Sequence, residues 1–321
     1  MMKILANDGI AQAGINALEA AGHQITTEKV AQEDLENYIN SNAVDVLLVR
    51  SATQVRAELI DACPSLKIIG RGGVGMDNID VTYAREQGLH VINTPAASSH
   101  SVAELVFAHF FGMARFLHDS NRNMPLEGES NFKGLKKAYA KGVELKGKTL
   151  GIIGFGRIGQ ATARIGLGLG MNIVAFDPFI DKQTLNLEFF DGQQVSFTIE
   201  TISKEEVLKQ ADFLTLHVPA QKEYVISKKE IDLMKEGVFI VNAARGGVVD
   251  EVALVNALND NKISAAALDV YEKEPMPEVQ LLMNPYLSLT PHIGAATGEA
   301  QKRIGTELAS QIIEISKEYE A

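Results

Sequence analysis

The first hundred residues alternate short apolar runs with amphipathic stretches. Apolar runs bounded by polar residues predict strands, and apolar positions three or four residues apart predict helices. The run VDVLLV (44–49) is almost wholly apolar, which is typical of a strand in a parallel sheet covered on both faces. The predicted strands are Lys3–Asn7, Gln24–Glu28, Val44–Arg50, Leu66–Arg71 and His90–Asn93, with helices near residues 11–21, 32–40, 55–63 and 80–87.

The pattern changes near Pro95. Ser101 followed by Glu104 has the spacing of a capping box, so we predict a long helix from Ser101 to about Leu117. Residues 119–147 are polar with weak periodicity, and we expect them to run over a surface or a partner subunit. A second series of strands then follows, at residues 149–153, 172–177, 212–218, 238–244, 264–270 and 287–291, with a helical pattern over residues 297–319.

Strands that alternate with helices in both halves predict an α/β protein with two doubly wound parallel-sheet domains. The length of 321 residues is also that of about two domains. A ligand-binding cleft is expected between them, because open α/β sheets bind ligands beyond the carboxyl ends of their strands.

Composition narrows the class of protein. The net charge of −11 argues against a nucleic-acid partner. The start of the chain does not have the pattern of a secretory signal, and no apolar run is long enough to span a membrane. The single cysteine, Cys63, cannot form an internal disulfide, which favours a reducing compartment. We therefore expect a cytoplasmic protein that needs no metal site.

A glycine-rich turn is the clearest binding motif. Gly154, Gly156 and Gly159 directly follow the predicted strand 149–153 and open a helical pattern, which is the context of a dinucleotide site. Asp177 ends the next predicted strand, 18 residues after Gly159. A carboxylate there accepts hydrogen bonds from a ribose 2′-hydroxyl and repels a 2′-phosphate. The predicted cofactor is therefore NAD rather than NADP.

Three later segments place polar residues at predicted strand ends. Arg245 precedes two glycines and can bind a carboxylate through its planar guanidinium. Glu274 and His292 are a carboxylate and an imidazole suited to proton transfer between an alcohol and a ketone. Taken singly, each also fits a structural role, such as a surface ion pair or a hydrogen-bonded core histidine. The other six histidines are interpreted as structural: His23, His90, His100, His109, His118 and His217.

The motifs taken in order are similar to those of one enzyme family. They include VRSAT (49–53), GRGGVGMDNID (70–80), GKTLGIIGFGRIG (147–159), NAARGGVVDE (242–251), ALDVYEKEP (267–275) and PHIGAAT (291–297). From about Val44 to Ala300 the chain resembles the D-isomer-specific 2-hydroxyacid dehydrogenases. The resemblance implies a flavodoxin-like substrate-binding domain, residues 1–98 with 293–321, and a Rossmann NAD-binding domain, residues 99–292. It also implies a homodimer that associates through the NAD-binding domain.

The resemblance also implies roles for individual residues. Arg245, Glu274 and His292, which are 29 and 18 residues apart, correspond to the family's catalytic set. Asp269 corresponds to the residue that holds the nicotinamide carboxamide. The expected cofactor-binding residues are Val74, Gly154, Gly156, Arg157, Ile158, Gly159, Asp177, Val218, Ala243, Ala244, Arg245, Asp269, His292, Gly294 and Ala295. The expected substrate-binding residues are Arg50, Arg71, Gly73, Val74, Gly75, Arg245 and His292.

Two positions depart from the family pattern. Val74 and Val218 stand where close relatives often carry threonine, so side-chain hydrogen bonds to the cofactor are lost there or replaced by backbone contacts. The chain also ends at Ala321, soon after its last predicted helix. We therefore expect no feedback inhibition through the C-terminal regulatory domain that many relatives carry.

Substrate choice depends on Arg50 and Arg71, which end two predicted strands of the first domain. Two guanidiniums are more positive charge than a lactate-sized acid needs, and they suit a phosphate. We expect a small phosphorylated 2-hydroxy or 2-keto acid as substrate. One alternative is a glyoxylate, hydroxypyruvate or D-lactate type reductase, with the arginines in surface ion pairs. Another is an NAD-responsive partner-binding protein without catalysis, as some family members are, although the complete catalytic set argues against it.

Overall fold

The protein is described from a computed structural model that covers residues 1–319. This part of the chain divides into two compact units. The first unit comprises Met1–Ser101 together with the chain from Ala295 onward, and the second comprises Val102–Gly294. The expected domain boundaries, after residues 98 and 292, lie within three residues of these. Residues 320 and 321 of the expected first domain lie outside the described residues.

The two units are built from strands and helices that alternate along most of the chain. The first elements are β1 (Lys3–Ala6), α1 (Gln12–Ala20), β2 (Gln24–Thr26), α2 (Leu35–Asn42), β3 (Val46–Val49), α3 (Ala57–Ala62), β4 (Ile68–Arg71), α4 (Val81–Glu86), β5 (His90–Asn93) and α5 (Ser99–Ala114). Next come α6 (Leu117–Glu127), α7 (Phe132–Ala138), β6 (Thr149–Ile153), α8 (Arg157–Gly168), β7 (Asn172–Phe176), β8 (Lys182–Glu188), β9 (Gln194–Glu200), α9 (Lys204–Gln210) and β10 (Phe213–Leu216). The last are α10 (Lys228–Leu233), β11 (Val238–Asn242), α11 (Glu251–Asn259), β12 (Ile263–Leu268), α12 (Val279–Leu282), β13 (Leu287–Leu289) and α13 (Gly298–Ser316).

A parallel sheet in the order β2-β1-β3-β4-β5 forms the centre of the first unit. All four residues of β3 are buried, as its apolar sequence predicts. Helix α13 covers this sheet, because Ile304, Leu308 and Ile312 join the apolar cluster that contains β1 residues such as Ile4. Chain from the far C-terminus thus completes the first unit.

The second unit contains a six-stranded parallel sheet in the order β7-β6-β10-β11-β12-β13. Strand order reverses between β6 and β10, since β6 is followed in the chain by β7 on one side while β10 lies on the other. Such a switch point leaves a crevice outside the carboxyl ends of the strands. The predicted fold class, two doubly wound parallel-sheet domains, is confirmed.

An antiparallel hairpin, β8–β9, was not predicted from the sequence. Its two strands pair from Lys182 opposite Glu200 to Glu188 opposite Gln194. After the hairpin the chain rejoins the large sheet through a single bridge between Ala175 and Thr201. The hairpin is mostly solvent-exposed, so apolar burial provided only a weak signal. The Asp191-Gly192 pair at its tip is a hairpin turn signal that the sequence analysis overlooked.

One prediction for residues 99–147 is wrong. Helix α5 begins at Ser99, so Ser101 lies inside it, and its hydroxyl is 2.8 Å from Thr297 Oγ1 instead of capping the helix. Residues 119–147, where the sequence shows only weak periodicity, include most of α6 and all of α7. Since α6 buries none of its residues, no apolar periodicity was present to reveal it. Among residues 1–319, no helix combines the length and the apolar character needed to cross a bilayer.

Candidate active site

Most predicted site residues of the second unit lie at one edge of its sheet. The strands are parallel, so their carboxyl ends and the turns that follow them share that edge. The strand ends carry Asp177 after β7, Gly154 after β6, Val218 after β10, Ala243, Ala244 and Arg245 after β11, Asp269 after β12 and His292 after β13. The structure therefore brings the glycine turn and the three proposed catalytic residues to the same edge.

The glycine turn between β6 and α8 requires glycine for steric reasons. Gly154 has a φ of 93°, and a Cβ there would come within 2.5 Å of the carbonyl oxygen of His217. A Cβ on Gly159 would overlap the carbonyl oxygen of Gly154. A Cβ on Gly156 would meet no atom within 4 Å, so the chain is open above this residue. The turn is thus packed against backbone at Gly154 and Gly159 and open at Gly156, a shape that lets a pyrophosphate approach the backbone.

The start of α8 and the end of β7 complete a fit to a dinucleotide. Helix α8 begins at Arg157 and has no side-chain cap, so the amides of its first turn remain for an anion. Asp177 Oδ2 accepts a hydrogen bond of 2.7 Å from the amide of Phe155, and Oδ1 accepts one of 2.9 Å from the amide of Phe179. Asp177 thus also anchors the glycine turn, a contact that sequence reasoning missed, and its remaining lone pairs can accept ribose hydroxyls.

His292 and Glu274 form a hydrogen-bonded pair. Nδ1 of His292 lies 2.9 Å from Oε2 of Glu274. Both side chains are partly exposed, at 40% for His292 and 36% for Glu274. Oε1 of Glu274 accepts a hydrogen bond of 3.1 Å from the amide of Tyr271, which holds the carboxylate in place. An ionised carboxylate can only accept, so Nδ1 carries the proton and Nε2 is left as the basic nitrogen.

Arg245 lies in a tight turn after β11. Asn242 organises this turn, because its Nδ2 donates to the carbonyl of Arg245 at 2.9 Å and its Oδ1 accepts from the amide of Ala244 at 3.1 Å. A Cβ on Gly246 would overlap the carbonyl oxygen of Tyr271. The turn that carries Arg245 therefore packs directly against the loop whose Tyr271 amide holds the Glu274 carboxylate.

Asp269 is buried, with 1% of its surface exposed, and holds the loop around His292. Its Oδ1 accepts from the hydroxyl of Thr290 at 2.6 Å and from the amide of Ile293 at 2.8 Å, and its Oδ2 accepts from the amide of Gly294 at 2.8 Å. His292 lies between these anchors with a φ of 55°, a left-handed conformation that is uncommon outside glycine. Sequence reasoning included Asp269 but not Thr290.

The substrate-binding residues predicted for the first unit lie at the carboxyl ends of β3 and β4. Val49 pairs with Arg71 across these strands, so Arg50 comes one residue beyond the partner of Arg71. Gly73, Val74 and Gly75 follow β4 directly, and the carbonyl of Val74 accepts a hydrogen bond of 2.7 Å from Asn93 Nδ2. Ala295 also belongs to this unit, and its carbonyl accepts from Gln301 Nε2 at 2.8 Å.

The backbone of Arg50 is held from both sides. Its amide donates to Oδ2 of Asp8 at 2.7 Å, and its carbonyl accepts from Nδ2 of Asn78 at 2.7 Å. Burial raises the pKa of the Asp8 carboxyl, but hydrogen bonds from Lys29, Arg50 and Thr53 outweigh it and lower that pKa overall. Asp8 therefore stays charged and fixes the start of the 50–53 turn, and sequence reasoning identified neither Asp8 nor Asn78.

The sequence also matches known proteins. Residues 107–294 match the family model described as "D-isomer specific 2-hydroxyacid dehydrogenase, NAD binding domain". The D-3-phosphoglycerate dehydrogenase of Methanocaldococcus jannaschii is 43% identical over 97% of this chain, which spans 57% of that relative. The hydroxypyruvate reductase of Thermotoga maritima is 44% identical over 90% of both chains.

A solved structure supports the same relationship. The D-lactate dehydrogenase of Aquifex aeolicus, complexed with NAD and lactic acid, is 28% identical with a TM-score of 0.76, over 98% of this chain and 95% of that one. The resemblance drawn from the motifs and the expected NAD cofactor are confirmed at the level of the family. The chain belongs to the D-isomer-specific 2-hydroxyacid dehydrogenases, a family with an NAD-binding domain.

Proposed function

We propose that the protein oxidises D-3-phosphoglycerate to 3-phosphohydroxypyruvate, and catalyses the reverse reaction, with NAD as cofactor. This is the first step of phosphorylated serine biosynthesis. The assignment of a phosphorylated substrate rests on the placement of Arg50 and Arg71 at the ends of adjacent strands in the first unit. The relationship to D-3-phosphoglycerate dehydrogenases supports it.

The residues after β11, β12 and β13 would perform the proton transfer. When bound, NAD supplies a nicotinamide that accepts a hydride from C2 of the hydroxy acid. His292, with Nδ1 held by Glu274, takes the hydroxyl proton at Nε2, and Glu274 stabilises the imidazolium that forms. In reduction, Nε2 returns the proton to the carbonyl oxygen. Arg245 binds the substrate carboxylate through its guanidinium.

Arg50 and Arg71 would bind the phosphate of the substrate. Parallel strands lie about 4.8 Å apart, so two arginines at neighbouring strand ends can bring both guanidiniums to one dianion. The contacts of Asp8 and Asn78 with the backbone of Arg50 keep its turn in one conformation. A lactate-sized acid has no group that would use this charge.

A substrate panel tests the phosphate. Turnover of 3-phosphohydroxypyruvate and of hydroxypyruvate would be compared, with NADH, in the wild type, Arg50→Gln and Arg71→Gln. We expect each variant to raise the KM for the phosphorylated acid about tenfold or more, because each loses a charge-assisted contact, and to change the KM for hydroxypyruvate less than twofold. Arg56→Gln is the matched control, because Arg56 pairs with Asp80 on the surface of the same unit. Equal turnover of both acids by the wild type would overturn the phosphate assignment.

A second candidate is a hydroxypyruvate reductase. The Thermotoga maritima relative with that activity matches 90% of its own length, whereas the chain spans only 57% of the Methanocaldococcus jannaschii phosphoglycerate dehydrogenase. The same panel separates the two candidates, because the reductase would prefer hydroxypyruvate and would be insensitive to both arginine substitutions.

We also propose that the protein forms a homodimer through the second unit. Large apolar side chains are exposed along the segment from α5 to α7: Phe111, Leu117, Met124, Leu126 and Phe132. Exposed apolar side chains of this size along one segment favour a protein interface there. Light scattering after gel filtration should give twice the chain mass for the wild type and the mass of one chain for Leu126→Glu. A wild-type monomer would contradict the proposal.

A further inference from the structure

His109 is a buried histidine in the apolar helix α5. It is 5% exposed, and both of its ring nitrogens have partners. Nδ1 lies 3.0 Å from the hydroxyl of Ser288, and Nε2 lies 3.2 Å from the hydroxyl of Thr290. Ser288 is in β13, and Thr290 follows it, two residues before His292. The ring therefore connects α5 to the loop that carries the proposed catalytic histidine.

The direction of each hydrogen bond that links Ser288, His109, Thr290 and Asp269 can be assigned. Asp269 receives three donors, so its carboxylate acts only as an acceptor. The hydroxyl of Thr290 has one hydrogen, which it donates to Asp269 Oδ1 at 2.6 Å. Thr290 Oγ1 must then accept from the Nε2–H of His109.

The state of the His109 ring completes the assignment. Burial lowers the pKa of His109 below its ordinary value of 6.5, although the charge of Asp269 acts in the opposite direction. The ring is therefore neutral near pH 7, and its Nδ1 accepts from the hydroxyl of Ser288. The hydrogen bonds run in one direction, from Ser288 through His109 and Thr290 to Asp269.

This series of hydrogen bonds ends on the backbone of the His292 loop. Asp269 holds the amides of Ile293 and Gly294, directly after His292, while its bond to Thr290 holds the loop directly before it. The amide of His292 donates to the carbonyl of Thr290 at 3.1 Å, and His292 adopts a φ of 55°. Because an uncommon conformation persists only where its surroundings hold it, these contacts determine how the imidazole is presented.

We propose that His109 is a positioning residue for the proton-transfer site: its Nε2–H commits the Thr290 hydroxyl to Asp269 and thereby holds the loop that presents His292. The inference rests on the proposed function only through the role of His292. The contacts of His109, Thr290 and Asp269 are observed independently of any substrate.

Kinetics of four variants test the proposal. His109→Leu replaces the imidazole with an apolar side chain of similar bulk, which removes both hydrogen bonds. Thr290→Val removes the hydroxyl with little change in shape. We expect each to lower kcat about tenfold, since a buried partner is left unsatisfied, with the KM for NADH changed less than twofold. His109→Gln, which can still donate to Thr290, should recover most of the loss. In the Thr290→Val background, His109→Leu should lower kcat by less than a further twofold, because both changes remove the same contact.

A matched control separates positioning from stability. His23 is another buried histidine, 6% exposed, which accepts from the amide of Met2 at its Nδ1 in the first unit. His23→Leu should lower the thermal midpoint and leave kcat unchanged. If His109→Leu also lowers only the thermal midpoint, or if the two effects on kcat multiply in the double variant, the proposal is wrong.

Nuclear magnetic resonance of the ligand-free protein gives a readout without turnover. With ¹⁵N-labelled histidine, His109 should appear at pH 7 as a neutral ring protonated at Nε2, and Thr290→Val should shift the ring resonances of His292. A ring protonated at Nδ1, or unchanged His292 resonances in Thr290→Val, would overturn the inference. If the protein turned over no 2-keto acid, the proposed function would fail while these resonances still decided the role of His109.

Discussion

Replacement of Glu274 by glutamine should be more harmful than replacement by alanine. Tyr271 presents an N–H to Oε1, so a glutamine at position 274 keeps its carbonyl oxygen there. Its amide nitrogen then occupies the place of Oε2, 2.9 Å from Nδ1 of His292, and donates to that nitrogen. The neutral imidazole must then carry its proton at Nε2, the position that has to accept the substrate proton. Alanine leaves the ring free to adopt either tautomer.

The magnitudes follow from the exposure of the pair. A hydrogen bond to a charged group contributes about 1.5–3 kcal/mol, and the low end applies because the side chains of His292 and Glu274 are 40% and 36% exposed. Loss of about 1.5 kcal/mol lowers kcat roughly tenfold in Glu274→Ala. A comparable acid-to-amide change in a Ser-His-Asp triad costs on the order of 10⁴ through the wrong tautomer, so Glu274→Gln should lose about 10³ or more.

The assay is the absorbance of NADH at 340 nm, with the 2-keto acid that the wild type reduces best. NADH affinity, measured by fluorescence, should stay within about threefold of the wild type in both variants, since neither change touches the glycine turn. The reasoning would be refuted by a Glu274→Gln enzyme at least as active as Glu274→Ala, because the tautomer argument requires the opposite order.

Three further predictions concern the proton acceptor, the glycine turn and acid stability. His292→Ala should lower kcat by about 10²–10⁴ and leave NADH affinity nearly unchanged, and full turnover would remove His292 from the mechanism. Gly159→Ala should weaken NADH binding and also lower the thermal midpoint, because its Cβ overlaps a backbone oxygen, whereas Gly156→Ala should weaken NADH binding alone; a normal Kd in both variants would contradict the cofactor site. Burial raises the pKa of Glu230, but hydrogen bonds from Ser227 and a nearby lysine lower it to about 2. The stability that this carboxylate contributes is therefore complete above pH 4.5 and is lost as the pH falls towards 2. Glu230→Gln should lower the free energy of unfolding by about 2 kcal/mol in urea titrations at pH 7, and by progressively less between pH 4.5 and 2. A difference that stayed constant over this range would contradict the account.

Local patterns were sufficient for much of the fold. Burial on both faces leaves a strand such as β3 almost wholly apolar, and a glycine turn between a strand and a helix is contiguous in the sequence. The two sheets could therefore be predicted. The β8–β9 hairpin and helix α6 could not be predicted in this way, because both are largely exposed and the apolar periodicity of buried elements is weak or absent in them.

Parallel topology also made part of the site predictable. Arg245, Glu274 and His292 lie in three separate segments, but each follows a strand of one parallel sheet, and such strands present their carboxyl ends at one edge. The order of these segments along the chain thus contained the information that the residues share an edge.

The sequence by itself therefore determined the two parallel sheets, the glycine turn and the edge at which the proposed catalytic residues meet, since each of these depends on periodicity or on order along the chain. Only the tertiary structure decided which partners hold those groups. Tyr271 fixes Glu274, Asp177 anchors the glycine turn, and His109 reaches Thr290 from a helix about 180 residues earlier in the chain. A hydrogen bond depends on the separation and direction of two atoms, and neither quantity follows from sequence spacing once the partners lie on different elements.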